Sequence, residues 1–439
     1  MALSADVVVV GSGMAGACAA LAAREKGADV LLVARAPGAT ALSSGAIDFG
    51  GNAQDATVGD GARLLAHKAG HPYALFGDSL PTVLERTMAF LRRHLASLAL
   101  DGARMAADKC LWLPTPVGTA RPAALAPSPI AGADLRNLSS RPVRLGVVAF
   151  AGAQQIEAGL AAAGLTRLLA PLGEAVCAAI DLYRTREDAL RTIPELARDL
   201  DRPGRRDLLA ASLLRAANAV RATHLLVPTL GLSNPVAMRA QLERTVGRPV
   251  FEALGAPPSV PGLRLQAALA NALRAAGVRR MDGIAERSTD GAVQVVQGVD
   301  CYTVRAGAVV LASGRFIGGG IRSESGSGVL HETVFDVPAF AAGRRSIAAL
   351  PSEELFAVKA SGQHPGMAAG IRVGADLRPL DAPATDAALF ACGTVIGGFD
   401  PSRDTGGLGT CALTGLVAGE RAAQAASRAG TSAAAEAIG

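Results

Sequence analysis

Gly11-Ser12-Gly13-Met14-Ala15-Gly16 has the residue types and spacing that hold a pyrophosphate. The first glycine permits a tight turn, the second lets a phosphate approach the backbone, and the third lets a helix pack close to a strand. The helix N-terminus then offers N–H groups and a positive dipole end. An acid about 20 residues further on ordinarily takes the adenosine ribose hydroxyls. Here that strand ends Val33-Ala34-Arg35, so Arg35 either meets a phosphate or is a solvated strand end. Within residues 39–51, Ser43, Ser44 and Gly45 combine hydroxyls with bare backbone, suited to a phosphate or a ring edge, or to an ordinary polar loop. Ser313 and Gly314, Gly393, and the pair Gly406-Gly407 stand where other buried runs turn or enter a helix, and complete the candidate cofactor set. Among six histidines His364, in a Gly/Pro-rich loop, is the first candidate for proton transfer and His331 the second; a loop histidine can equally be a surface residue. Arg315 and Arg322 flank Gly318-Gly319-Gly320 and are placed to hold an anion, or are solvated loop charges.

The elements that must position these residues are readable from hydrophobic period. Val7–Val10 is a short β-branched run, Met14–Lys26 an apolar helical pattern and Asp29–Val33 a second strand, a βαβ unit. Ala308–Leu311 and Ala388–Gly393 read as further buried strands. Val293–Val296 and Cys301–Val304 suit a β-meander, and Cys411–Arg428 a last helix. From His71 to Pro249 helical stretches (Leu80–Leu98, Ile193–Leu200, Arg206–Val220) interleave with strands at Val143–Phe150 and Leu225–Pro228, with no second GxGxxG. The Pro-rich stretch Pro114–Pro129 reads as an extended surface loop.

Composition narrows the function classes. Half of the 439 residues are apolar and 18% are charged, a globular balance. The formal charge of +5 is scattered and aromatics are 3%, which argues against nucleic acid. The apolar runs are interrupted too early for a membrane-spanning helix, so no direct membrane insertion is expected. The six cysteines form no CxxC pair and read as small hydrophobes in a reducing compartment, with no metal site; the N-terminus lacks a basic signal region, and a cytoplasmic location is expected. No Ser/His/Asp or HExxH arrangement appears, and hydrolase readings fall away.

The opening GSGMAG, the ALSSGAIDFGG stretch, His71-Pro72-Tyr73, Pro257–Leu265, Leu311–Phe316 and Gly397-Gly398-Phe399-Asp400-Pro401 together resemble the B-subunit family of anaerobic glycerol-3-phosphate dehydrogenases, along nearly the whole chain. More distantly the chain is similar to the fumarate reductase/succinate dehydrogenase flavoproteins. The resemblance implies an oxidoreductase subunit carrying a flavin, FMN from the resemblance and FAD from the fold. It implies an FAD-bearing catalytic subunit and an iron–sulfur membrane-anchoring subunit as partners, with electrons passing from sn-glycerol 3-phosphate to menaquinone. The chain would then be held at the inner face of the cytoplasmic membrane through a partner. The run Ser402-Arg403-Asp404-Thr405 departs from the family pattern by its charge. In such a reaction a base takes the hydroxyl proton, for which His364 is the candidate, and Arg315 and Arg322 hold the substrate anion. Two alternatives are a stand-alone dehydrogenase or reductase of the fumarate reductase type and a flavin-bearing RNA-binding module.

The expected fold class is α/β: a Rossmann-like FAD/NAD(P)-binding domain built from N- and C-terminal segments, with an inserted α+β cap. The expected boundaries are 1–70, 256–325 and 386–439 for the nucleotide-binding domain, 71–255 for the cap and 326–385 for a connecting segment.

Overall fold

A computed structural model describes residues 2–51, 56–151, 157–180, 192–288, 291–348, 350–355, 364–383 and 387–436. In chain order, β1 (Ala2–Val10), α1 (Met14–Glu25) and β2 (Val30–Ala34) form the first βαβ unit. The middle contributes β3 (Val143–Phe150), β4 (Gly173–Ile180), β5 (His224–Val227) and β6 (Val250–Glu252). Helix α2 (Val260–Ala275) leads to β7 (Arg279–Asp282), β8 (Ile284–Arg287), β9 (Val293–Gln297) and the long β10 (Asp300–Leu311). A hairpin of β11 (Ile321–Ser323) and β12 (Leu330–Glu332), then β13 (Ala388–Ala391) and α3 (Gly407–Glu436), complete the set.

The chain divides into two compact units. The first comprises residues 1–40, 59–94 and 269–439; the second comprises 41–58 and 95–268. The first holds a seven-stranded sheet in the order β7-β2-β1-β10-β9-β8, with β13 also paired to β10. Strand β10 explains its own burial pattern. Its first half pairs antiparallel with β9, where one face is open, and its last residues, Ala308–Leu311, lie between parallel β1 and β13, where both faces are covered. The meander read from the alternation at 293–304 is this β8-β9-β10 ribbon. The last helix starts at Gly407, ahead of the Cys411 expected from the sequence, so Gly407 and Gly409 lie inside its first turn and Gly406 just before it.

Helix α1 is buried nearly all round, Ala17, Cys18, Ala19 and Ala20 each being 0% exposed. Such a helix must be built of small residues to be approached from two sides. A methyl on Gly415 of α3 would meet the Ala15 carbonyl oxygen at 2.3 Å, and one on Gly419 the Ala19 carbonyl oxygen at 2.1 Å. One turn of α3 thus rests on one turn of α1, backbone against backbone, at spacing i, i+4 on both helices.

The second unit contains a four-stranded sheet, order β6-β5-β3-β4, in which every pair is parallel, an α/β rather than an α+β arrangement. Alternation along β3 sends Val148 and Phe150 into one core and Val143, Leu145 and Val147 into the other. A buried ion pair, Arg264 Nη1 to Glu252 Oε2 at 2.7 Å, joins the start of α2 to β6, and Arg264 also donates to the Gly231 carbonyl. The Pro114–Pro129 stretch is not a surface loop. It forms the hairpin Leu111–Pro114 with Ala120–Ala123, a strand at Leu125–Pro127 and a short helix. The alanine-rich half supplies the apolar area that draws it inward: Ala123, Ala124, Leu125 and Ala126 are all buried, as is Ile130 just beyond.

Overpacking the α1/α3 contact is the sensitive test of this architecture. Gly419→Val is expected to destabilise the chain by about 1–3 kcal/mol or more, read as a lowered urea midpoint, whereas valine at Gly159, with nothing within 4 Å of its Cβ position, is expected to change it little.

Candidate functional site

Strands β1, β2, β10 and β13 end level with one another, Val10 opposite Val33 and Leu311, and Leu311 opposite Ala391. The turns that follow them therefore gather at the C-terminal edge of a parallel sheet, where ligands of such folds bind. Gly11 has φ +114°, and a methyl there would sit 2.1 Å from the Ala312 carbonyl oxygen; one at Gly16 would sit 1.9 Å from the Gly11 carbonyl oxygen. These two glycines are demanded by the polypeptide itself.

Gly13 is different. Its backbone is extended, φ −73°, and a methyl would meet only Thr40 Oγ1 at 3.5 Å and Gly38 Cα at 3.7 Å, ordinary contacts. Neither its dihedrals nor its own neighbours require a glycine, which leaves close approach by a group outside the chain as the physical reason for one. The residues present fit a nucleotide phosphate at this turn.

The α1 N-terminus is partly capped from within. Thr40 Oγ1 accepts from Met14 N at 2.8 Å, and Ser12 Oγ donates to the Ala36 carbonyl at 3.1 Å. Thr40 was not legible as a functional residue, since no pattern distinguishes it from the hydroxyls that follow. Arg35 is exposed at the end of β2. Ser43, Ser44 and Gly45 fall in the second unit, where Gly45, φ +86°, packs on Pro261 and the Ser44 carbonyl accepts from Gly255 N.

Gly393, φ +74°, lets the turn after β13 lie on α1, for a methyl there would meet Ala15 Cβ at 2.5 Å; its N–H donates to Thr414 Oγ1. Gly314, φ +77°, has room on its Cβ side, with Thr394 Oγ1 at 3.6 Å. Gly406 and Gly407 close a charged turn at the head of α3. Asp404 accepts from Asp400 N and pairs with Lys68 at 2.8 Å, and Asp400 accepts from the amide and hydroxyl of Ser402. The Asp400/Asp404 spacing is a weak signal alone, and Lys68 is far from it in sequence.

Arg315 turns inward, 7% exposed. Nη2 donates to the carbonyls of Ile396 and Phe399, the guanidinium lies 5.6 Å from the Phe399 ring centroid, and burial pulls its pKa down to about 10. It is tied to the 396–399 turn rather than set in solvent beside Arg322, which is exposed on β11 opposite His331. His364 is partly exposed, and its Nε2 lies 3.0 Å from Arg403 Nη2. A guanidinium can only donate, so Nε2 is the acceptor in this bond. Arg403, in the run that departed from the family pattern, is the partner the sequence did not suggest.

His71 is 1% exposed, its ring 5.7 Å from that of Phe399, and burial pushes its pKa down to about 4. Because Nδ1 accepts from Tyr73 N, the ring hydrogen sits on Nε2. Arg315 Nε, His71 Nε2, Asp400 Oδ2 and Thr410 Oγ1 are buried and have no polypeptide partner among the described residues. Buried polar atoms are nearly always bonded, so the surroundings of the Phe399–Asp404 turn retain hydrogen-bonding capacity for a polar ligand. Among the described residues no cluster of His, Cys, Asp and Glu suits a metal ion, and no helix is long and apolar enough to cross a membrane.

The family model described as "FAD binding domain" matches residues 6–410. A probable anaerobic glycerol-3-phosphate dehydrogenase B-subunit of Halobacterium salinarum is 32% identical, covering 97% of this chain and 99% of that one. The anaerobic glycerol-3-phosphate dehydrogenase B-subunit of Pectobacterium atrosepticum is 30% identical, covering 95% and 98%. Among solved structures, a variant of E. coli quinol fumarate reductase FrdA aligns at 12% identity and TM-score 0.41, covering 98% of this chain and 71% of that one.

The buried His71 gives a signed pH dependence. Its folded pKa lies below the ordinary 6.5, so the stability it supports is complete above pH 6.5 and is lost as pH falls toward 4. The span corresponds to about 3 kcal/mol. Urea titrations across that range should show a smaller loss for His71→Gln, which keeps an acceptor for Tyr73 N and cannot charge.

Proposed function

The chain belongs to the FAD binding domain family and, within it, to the B-subunit family of anaerobic glycerol-3-phosphate dehydrogenases, which are flavin oxidoreductases, and from that premise we propose that it is a flavin subunit of a glycerol-3-phosphate:quinone oxidoreductase. The observation that supports the reading is Gly13, a glycine at the C-terminal edge of the sheet that its own neighbours do not require, between two glycines that the fold itself requires. The dinucleotide phosphates would rest on the Gly11–Gly16 turn and the α1 N-terminus, with the Ser313-Gly314 and Gly393 turns beside them. When bound, the flavin supplies a hydride acceptor.

The chain's own residues do the rest. Arg403 donates to His364 Nε2 and orients the ring, the Nε2 lone pair facing the guanidinium. An anionic substrate arriving at Arg403 draws the guanidinium to its phosphate and frees Nε2 to take the hydroxyl proton. Arg315, Lys68 and the two aspartates fix the turn that carries Arg403. The His364/Arg403 pair favours oxidation of sn-glycerol 3-phosphate to dihydroxyacetone phosphate on this chain, over a role confined to relaying electrons. Electrons would leave to an iron–sulfur partner that reaches menaquinone in the membrane.

The chain loaded with FAD should show flavin absorption that bleaches with dithionite and, anaerobically, with glycerol 3-phosphate. His364→Gln should keep the first response and slow the second by about 10²-fold or more, the usual contribution of a general base. A chain that takes up neither FAD nor FMN would refute the flavin reading. Bleaching by glycerol 3-phosphate only in the presence of a partner subunit would leave the relay role alone.

A further inference from the structure

Glu332 closes the β11/β12 hairpin and is 0% exposed. Its Oε2 accepts from Val334 N at 3.0 Å and Phe335 N at 2.9 Å, while Oε1 accepts from the Ser313 hydroxyl at 3.3 Å. The next residue, Thr333, reaches the same turn from below, its N–H donating to the Gly320 carbonyl and its hydroxyl to that of Gly319. The Ser313–Gly320 turn at the end of β10 is thus clamped to β12, and one of the clamps is a carboxyl group.

We propose that Glu332 is a positioning residue for the nucleotide, deciding through the Ser313 hydroxyl whether that hydroxyl can donate to a ligand at the end of β10. The proposal rests on the reading of that edge as the flavin site. With Glu332 ionised, the Ser313 hydrogen is drawn to Oε1, and a negative charge stands behind the turn. With Glu332 protonated, its O–H donates to Ser313 Oγ, and the serine hydrogen is released toward a phosphate or ribityl oxygen of the ligand. Both effects weaken the binding of an anionic nucleotide when the carboxyl is charged.

The surroundings favour a switch in the neutral range. Burial pushes the carboxyl pKa up to about 7, against the lowering effect of its three donors, and Asp336 in its own turn adds to the rise. Pairing with β11 puts Ile321 opposite Glu332 and Arg322 opposite His331, so those two titratable side chains point to the other face of the hairpin. The neighbouring strands Ala339–Phe340 and Gly370–Ile371 carry no titratable side chain. Arg372, just beyond, pairs with Asp381 and lies over the Phe340 ring. Arg315 is engaged with the Ile396 and Phe399 carbonyls.

The test is the dissociation constant for FAD, from quenching of flavin fluorescence, measured from pH 6 to pH 8 on the full chain and on Glu332→Gln and Ser313→Ala. The wild type should weaken by about tenfold across that range, the effect of one group titrating near 7. Glu332→Gln, whose amide donates to Ser313 as the protonated acid does, should hold the tight, low-pH affinity throughout. Ser313→Ala should show at most the residual effect of charge and bind more weakly at pH 6; it also reports should Glu332→Gln fail to fold. Identical pH profiles for wild type and either folded variant would overturn the proposal while leaving the flavin site intact. Failure of all three chains to bind FAD at any pH would overturn the flavin reading, and the proposal with it.

Discussion

The Ala312 carbonyl oxygen lies 2.1 Å from where a side chain on Gly11 would begin, and the rest of the site depends on that space being empty. Because Gly11 has no Cβ, β1 can turn tightly beside β10, and α1 starts directly under the strand ends. Gly16 then lets the helix drop onto the turn, and Gly415 and Gly419 let α3 drop onto the helix. The same rule, backbone in contact with backbone where no side chain intervenes, stacks turn, helix and helix in sequence. It also explains why half of α1 is alanine: at Ala15 and Ala19, where α3 rests on the helix, a bulkier residue would push the stack apart.

Charge is handled by enclosure. Lys68, Asp400, Asp404 and Arg315 meet around one short segment, and the pairing of Lys68 with Asp404 and of Arg315 with carbonyls offsets part of their desolvation. The same turn carries Arg403 beside the partly exposed His364. Glu332 is the counterpart beside the end of β10, a buried carboxyl at the end of β12 that organises the turn following it.

What the sequence made legible was what repeats. β-branched runs placed β1, β10 and β13, alternation placed the β8-β9-β10 ribbon, and three glycines at fixed spacing placed the turn between a strand and a helix. What stayed hidden was carried by single residues in irregular segments. Thr40, Arg403, His71 and Glu332 each take at least one contact far along the chain, as with the separation of 39 positions between His364 and Arg403. Arg315 read equally as an anion-holding residue and as a solvated charge, and only the fold shows that Phe399 and two carbonyls enclose it. The prolines of Pro114–Pro129 suggested a surface loop, and burial of its alanine-rich half outweighs them.

The central claim is that Gly13 is bare for the sake of a ligand while Gly11 and Gly16 are bare for the sake of the fold. The direct measurement is a binding isotherm for FAD on Gly13→Ala, with circular dichroism and a urea midpoint taken on the same sample. The account predicts an unchanged spectrum and a midpoint close to wild type, together with affinity reduced by about tenfold or more, the equivalent of roughly 1.4 kcal/mol. A variant that binds FAD as tightly as the wild type would contradict it, and so would one that unfolds as Gly16→Ala should.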